Sequence, residues 1–109
     1  MASSEGRTRA LERMLESRPD DVRLRFALAV EYLNAGRAEE GVEALRAYLA
    51  VADDEGNAWG RLASALDGLG RTDEALEALD RGIEAAERHG HPTMVEEFAE
   101  EARRLRGDA

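Results

Sequence analysis

The stretch from Trp59 to Leu79 constrains the fold of this chain more than any other part of it. Apolar residues recur there at steps of three and four residues, first over Trp59–Leu66 and again over Ala75–Leu79. The glycine-bearing segment Asp67–Arg71 separates the two runs. This pattern predicts two amphipathic helices joined by a short turn.

The same stretch resembles the tetratricopeptide repeat, because Trp-x-x-Leu-Ala-x-x-Leu is followed by a turn glycine and then by Ala-x-x-x-Leu. That family has a period of about 34 residues. One period back, Leu62, Ala63, Leu66, Gly70 and Leu79 correspond to Leu28, Ala29, Tyr32, Gly36 and Leu45. A further step back aligns Leu45 with Leu11 and places Pro19 where the family has its closing proline. The resemblance therefore covers roughly residues 7 to 89.

Several residues depart from the family pattern without disturbing its spacing. Arg25 stands in place of the tryptophan in the first full repeat, and Gly41 stands in place of the alanine. Alanines at 29 and 63 replace the glycine, and acidic residues at 53 and 87 replace the closing proline.

The resemblance implies an all-α fold, a right-handed superhelical array of antiparallel helix pairs with about six helices. We expect a single domain over residues 1–109, with an N-terminal half repeat at 5–19 and full repeats at 22–55 and 56–89. A capping helix is expected at 91–106, because its outer side is rich in charged residues. The predicted helices are Glu5–Ser17, Val22–Ala35, Ala38–Val51, Asn57–Leu69, Thr72–His89 and Pro92–Arg106.

Turn residues mark the ends of these helices. Asp20 and Asp21 can cap the second helix, and Thr72 is suited to cap the fifth. Gly90 can take the left-handed conformation that closes the fifth helix. Pro92 suits the first turn of the sixth.

Composition excludes several classes of function. The formal net charge is −9 and every basic residue is arginine, which argues against binding to nucleic acid or to an anionic membrane. The lack of lysine has two explanations, codon composition and adaptation to high salt. No apolar run approaches the roughly 20 residues of a membrane span, and residues 1–6 lack the features of a signal peptide. We therefore expect a soluble, cytoplasmic protein.

The chain offers little material for catalysis. It has no cysteine, and its only histidines, His89 and His91, flank one glycine beside Glu87 without a third ligand at a fixed spacing. We therefore predict no metal, no cofactor and no enzymatic activity.

The strongest functional signal is a second apolar stripe on the second helix, formed by Phe26, Val30 and Leu33. In the family, the first helix of each repeat lines a concave groove that holds a peptide or a helix of a partner protein. Transferred position by position, that groove is lined by Arg23, Phe26, Ala27, Val30, Leu33, Asn34, Asn57, Gly60, Arg61, Ser64 and Asp67.

The resemblance thus implies a non-enzymatic protein–protein interaction module whose partner is a protein or peptide with apolar and acidic groups. The alternative is a self-associating scaffold, a homodimer whose groove is filled by its own copy. Helix one, helix six or a second copy could also cover the stripe. Members that clamp the carboxylate tail of chaperones have Lys and Asn where this chain has Phe26, Val30, Gly60 and Ser64. We therefore expect no chaperone-tail binding through that clamp.

Overall fold

The computed structural model describes residues 4–107, and all regular secondary structure in that part of the chain is α-helical. The helices are α1 (Ser4–Ser17), α2 (Val22–Asn34), α3 (Ala38–Leu49), α4 (Asn57–Gly68), α5 (Thr72–Arg88) and α6 (Pro92–Arg106). The predicted all-α class and the six predicted helices are confirmed, and every helix boundary lies within two residues of its predicted position. None of the described helices is both long enough and apolar enough to cross a membrane.

The chain divides into two compact units, residues 1–52 and residues 53–109. In the first unit, α2 packs against both α1 and α3. Its buried side chains come from all three helices, and they are Thr8, Leu24, Leu28, Ala29, Tyr32, Val42 and Leu45. The α2 residues among them include Leu28, Ala29 and Tyr32, which the repeat pattern aligns with Leu62, Ala63 and Leu66.

The second unit is built around α5, which packs against α4 and α6. Small residues on α5 allow close approach of its neighbours, since Ala75, Ala78, Ala85 and Ala86 are all buried. From α4 the core receives Ala58, Leu62, Ala63 and Leu66, and from α6 it receives Ala102.

Three helices end in the same backbone turn. At Gly36, where φ is 76°, the N–H of Arg37 donates to the carbonyl of Tyr32 at 2.9 Å. This is a Schellman motif, and its left-handed residue favours glycine because a Cβ there would be strained. The turns at Gly70 and Gly90 repeat the arrangement, which confirms the predicted role of Gly90.

Of the caps predicted at the helix starts, one is confirmed and one is wrong. Asp21 caps α2, because its carboxylate accepts hydrogen bonds from the N–H groups of Arg23 and Leu24 at 3.0 and 3.3 Å. The prediction that Thr72 caps α5 is wrong. Arg71 is the capping residue and makes no side-chain cap bond, while Thr72 is the first helical residue. The Arg71 guanidinium pairs instead with Glu74 at 2.6 Å.

Candidate functional site

The predicted groove residues lie on two helices, one in each unit. Phe26, Val30 and Leu33 are half-buried on α2, and Ala27 beside them is half-buried as well. Asn34 ends α2 and is exposed. This face of α2 therefore keeps part of its apolar surface in contact with solvent.

The first apolar contact on this face joins α2 to α3. The rings of Phe26 and Tyr48 lie 5.1 Å apart between centroids and are inclined at 52°. Tilted ring pairs at this separation are stabilised by the interaction of ring edges with ring faces. The two half-buried rings form an aromatic platform that spans the α2–α3 pair.

The second contact involves Leu33 and Gly41. A methyl group at position 41 would lie 2.4 Å from Leu33 Cδ2, so the leucine occupies the space of the absent side chain. The alanine of the family pattern would therefore require the Leu33 side chain to move. The covering helix for Phe26 and Leu33 is α3, which is not among the candidates raised by the sequence. Val30, Phe26 and Tyr48 are all half-buried, so each keeps part of its surface exposed to solvent.

A cation lies at one end of the α2 face. The side chain of Arg23 is 92% exposed, and its Nε is 4.0 Å from the carboxylate of Asp21. At that distance and exposure the ion pair is weak, so the guanidinium can turn towards an incoming carboxylate.

In the second unit, α6 covers part of the corresponding face of α4. A methyl group at Gly60 would lie 2.8 Å from Phe98 Cζ, so the Phe98 ring rests directly on the α4 backbone. Asp67 accepts a hydrogen bond from Arg104 of α6 at 3.2 Å. The exposed groove residues of α4 are Asn57, Arg61 and Ser64.

The two units fill equivalent positions in their helix pairs with different side chains. One repeat length separates Phe26 from Gly60 and Tyr48 from Gly82. The first unit fills these positions with two rings of its own, whereas the second leaves both as glycine and receives Phe98 from α6. The sequence analysis did not predict that Phe98 of α6 would pack against these two glycines. A signal was available, because two glycines replace two aromatic residues at equivalent positions.

A part-buried hydrogen bond behind the α2 face links α2 to α1. The hydroxyl of Tyr32 donates to Glu12 at 2.7 Å. Burial and this bond to a carboxylate raise the pKa of Tyr32 to about 12. The Arg37 guanidinium lies 4.7 Å above the Tyr32 ring, a cation–π geometry. Tyr32 therefore fixes the helix from which the groove residues project.

Each histidine makes a polar contact with a different carboxylate. His89 Nε2 lies 3.3 Å from Asp53, and His91 Nε2 lies 2.6 Å from Glu55. These bonds are the main cause of the lowered pKa values of Asp53 and Glu55. The described residues contain no group of three or more His, Cys, Asp or Glu side chains able to hold a metal ion.

The loop that holds these carboxylates also starts α4. The carboxylate of Asp54 accepts hydrogen bonds from the N–H groups of Gly56 and Ala58 at 2.8 and 2.9 Å. The acidic loop therefore caps α4 through its middle residue and binds the α5–α6 connection through its outer two. Sequence reasoning placed these residues in a loop but did not identify the cap.

Comparison with known proteins decides the family. Residues 1–86 match the sequence profile described as tetratricopeptide repeat. The chain belongs to the tetratricopeptide repeat family. Its predicted membership is thereby confirmed.

One curated protein and two solved structures illustrate what this tetratricopeptide repeat protein is similar to. TPR repeat-containing protein PA0015 of Pseudomonas aeruginosa is 32% identical over 95 residues, covering 87% of this chain and 90% of that protein. The solution structure of BPP2914 from Bordetella parapertussis is 33% identical, with a TM-score of 0.75 over 90% of this chain and 85% of that one. A crystal structure of MamA, at 20% identity, superimposes with a TM-score of 0.71 over 94% and 68% of the two chains.

Proposed function

We propose that this chain is a non-enzymatic interaction module that holds a peptide or helix of a partner protein against the α2 face. Proteins built from tetratricopeptide repeats generally mediate protein–protein interaction, and this chain belongs to that family. The observation that supports the proposal most directly is the half-buried Phe26–Tyr48 platform beside Val30. Aromatic anchors of this kind supply much of the binding energy at protein interfaces.

Exposed arginines among the groove residues favour a partner that carries an acidic residue. Arg23 on α2 and Arg61 on α4 are both exposed groove residues. An apolar segment carrying an acidic residue could bury its apolar side chains on the platform and pair its carboxylate with Arg23, which lies on the same helix. Helices and extended peptides both bind in this way.

The test places a photo-crosslinking residue at position 30 and, as a control, at position 22. Val22 is the first residue of the same helix and is 37% exposed, so both probes are accessible. A partner cross-linked from position 30 and not from position 22 is then purified, and its affinity is measured by calorimetry. We expect Val30→Asp to weaken binding at least tenfold and Val22→Asp to leave it unchanged, with both variants keeping the helical circular dichroism.

Two results would contradict the proposal. Equal affinity of the Val30→Asp variant and the parent for the purified partner would remove the α2 face from the interaction. A fall in the mass of the protein itself on Val30→Asp would place a second copy in the groove. A peptide with the acidic carboxyl terminus of a chaperone is a further control, and we expect it not to bind.

A further inference from the structure

The α6 helix has exposed glutamates at positions whose equivalents in the preceding repeat are buried. One period of 34 residues places Glu96, Glu97 and Glu100 on the positions of Leu62, Ala63 and Leu66. Those three α4 residues belong to the core that α4 and α5 share. The three glutamates are exposed, and none has an ion-pair partner among residues 4–107. We call this surface the acidic face of α6.

The α1 helix presents the complementary kind of surface. Met14 corresponds by one period to Tyr48, which packs against Phe26, but Met14 itself is 43% exposed. Arg13 precedes it on α1, and Arg18 lies immediately after the end of the helix. Both arginines are exposed, and neither has an ion-pair partner in the described part of the chain. We call this surface the arginine-flanked face of α1.

The charge distribution favours contact between these two different faces. Residues 1–52 contain eight arginines and nine carboxylates, whereas residues 53–109 contain seven arginines and fifteen carboxylates. Two acidic faces repel each other, as do two arginine-flanked faces. An acidic face against an arginine-flanked face is attractive, and the register of α6 and α1 matches the two partners of one helix pair.

We propose that copies of this chain bind one another head to tail, with the acidic face of α6 on one copy against the arginine-flanked face of α1 on the next. Such a contact uses two different surfaces, so it adds copies without closing a dimer unless a ring forms. Exposed ion pairs are individually weak, so the contact is expected at high protein concentration. It involves neither Val30 nor the Phe26–Tyr48 platform and is independent of the proposed function.

The test is sedimentation equilibrium from 10 µM to 1 mM, concentrations chosen because each ion pair contributes little. In about 0.1 M salt, where charges more than roughly 10 Å apart are screened, we expect the average mass to rise above twice 12.0 kDa. In about 1 M salt it should return towards one chain, since screening then acts over roughly 3 Å.

Charge reversal identifies the faces. One variant carries Glu96→Arg, Glu97→Arg and Glu100→Arg, and the other carries Arg13→Glu and Arg18→Glu. Each alone should stay monomeric, and an equimolar mixture should associate again, because each reversed face meets a complementary one. The matched control, Glu77→Arg with Glu84→Arg and Glu87→Arg, makes the same change in net charge on exposed acidic residues of α5 and should associate like the parent.

Three outcomes would overturn the proposal. The first is a constant mass of one or two chains at every concentration in 0.1 M salt. The second is loss of association in the α5 control equal to that in the α6 variant. The third is failure of the mixture to associate when circular dichroism shows that both variants are folded.

Discussion

At the level of single residues, three glycines shape the helix packing because larger side chains occupy the space beside them. Gly60 and Gly82 leave a space between α4 and α5 that the Phe98 ring occupies, while Gly41 leaves one for Leu33. Periodicity identifies each glycine as a departure from the repeat. It does not say which ring or branch fills the space, because that depends on side-chain shape in three dimensions.

We predict that Gly82→Ala destabilises the protein by about 1–2 kcal/mol. The new methyl group would lie 2.8 Å from Phe98 Cε2 and 3.0 Å from Trp59 Cβ. Overpacking of this kind costs about 1–3 kcal/mol, and the better helix propensity of alanine offsets up to about 1 kcal/mol. Urea unfolding measures the change in the free energy of unfolding.

Two further variants make that prediction specific. Combining Gly82→Ala with Phe98→Leu should cost less than the sum of the single changes, since the smaller side chain removes the clash. Gly68→Ala is the control, because nothing lies within 4 Å of a methyl group there. It should be neutral or stabilising by up to about 1 kcal/mol. If Gly82→Ala were as stable as Gly68→Ala, the assigned position of the Phe98 ring would be wrong.

A second prediction at this scale concerns Tyr32. Its hydroxyl donates to Glu12, and its pKa is raised to about 12 from an ordinary value near 10. A group whose pKa is raised on folding stabilises the folded state below its unfolded pKa, so this contribution is lost as the pH rises from 10 towards 12. Tyr32→Phe should lower stability by about 1–2 kcal/mol at neutral pH by leaving Glu12 without its donor.

Absorbance at 295 nm measures the ionisation of Tyr32 directly. The parent should show a tyrosine titration step near pH 12 that the Tyr32→Phe variant lacks. A variant that keeps this step would contradict the assigned hydrogen bond. The stability of the variant should also fall less steeply than that of the parent between pH 10 and 12.

At the level of helices, the boundaries were predictable because each break has a local cause. Pro19 forces the preceding residue out of helical geometry, and glycines in the left-handed conformation end four helices. The misassigned cap at Thr72 has a local cause too. The preceding Schellman turn already ends at Arg71, so the next helix starts there without a side-chain cap.

The connection between α5 and α6 gives a prediction at this scale. The bond from His91 lowers the pKa of Glu55, and the bond from His89 lowers the pKa of Asp53. A lowered pKa stabilises the fold above the unfolded value, near 4, and this contribution is lost as the pH falls through the folded value. Acid should therefore loosen the contact between this connection and the loop that caps α4.

Carboxyl chemical shifts followed by NMR from pH 2 to 6 test it residue by residue. His91→Gln should raise the pKa of Glu55 towards its ordinary value. His89→Gln is the matched change and should act mainly on Asp53. Equal shifts of both carboxylates in both variants would show that the two pairs are not separate.

At the level of the whole molecule, the sequence determined the class of fold and a list of groove residues, but not how much of each residue is free. The α2 face was expected to be open or covered by another helix or copy, and α3 covers part of it through Tyr48 and Leu33. On the α4 face, α6 contacts Gly60 and Asp67. These contacts depend on side chains that periodicity treats as equivalent, such as tyrosine and glycine one repeat apart.

The charge is also unevenly divided, and this leads to the last prediction. Because residues 53–109 hold fifteen carboxylates against seven arginines, repulsion opposes folding mainly in the second unit. Raising the salt concentration from about 0.05 M to about 1 M shortens the screening length to roughly 3 Å and should relieve it. Amide hydrogen exchange should therefore slow severalfold in α5 and change little in α2. Equal slowing in both helices would instead favour a general adaptation to high salt. Faster exchange in α5 would mean that the ion pairs of the second unit stabilise it more than the repulsion between its carboxylates destabilises it.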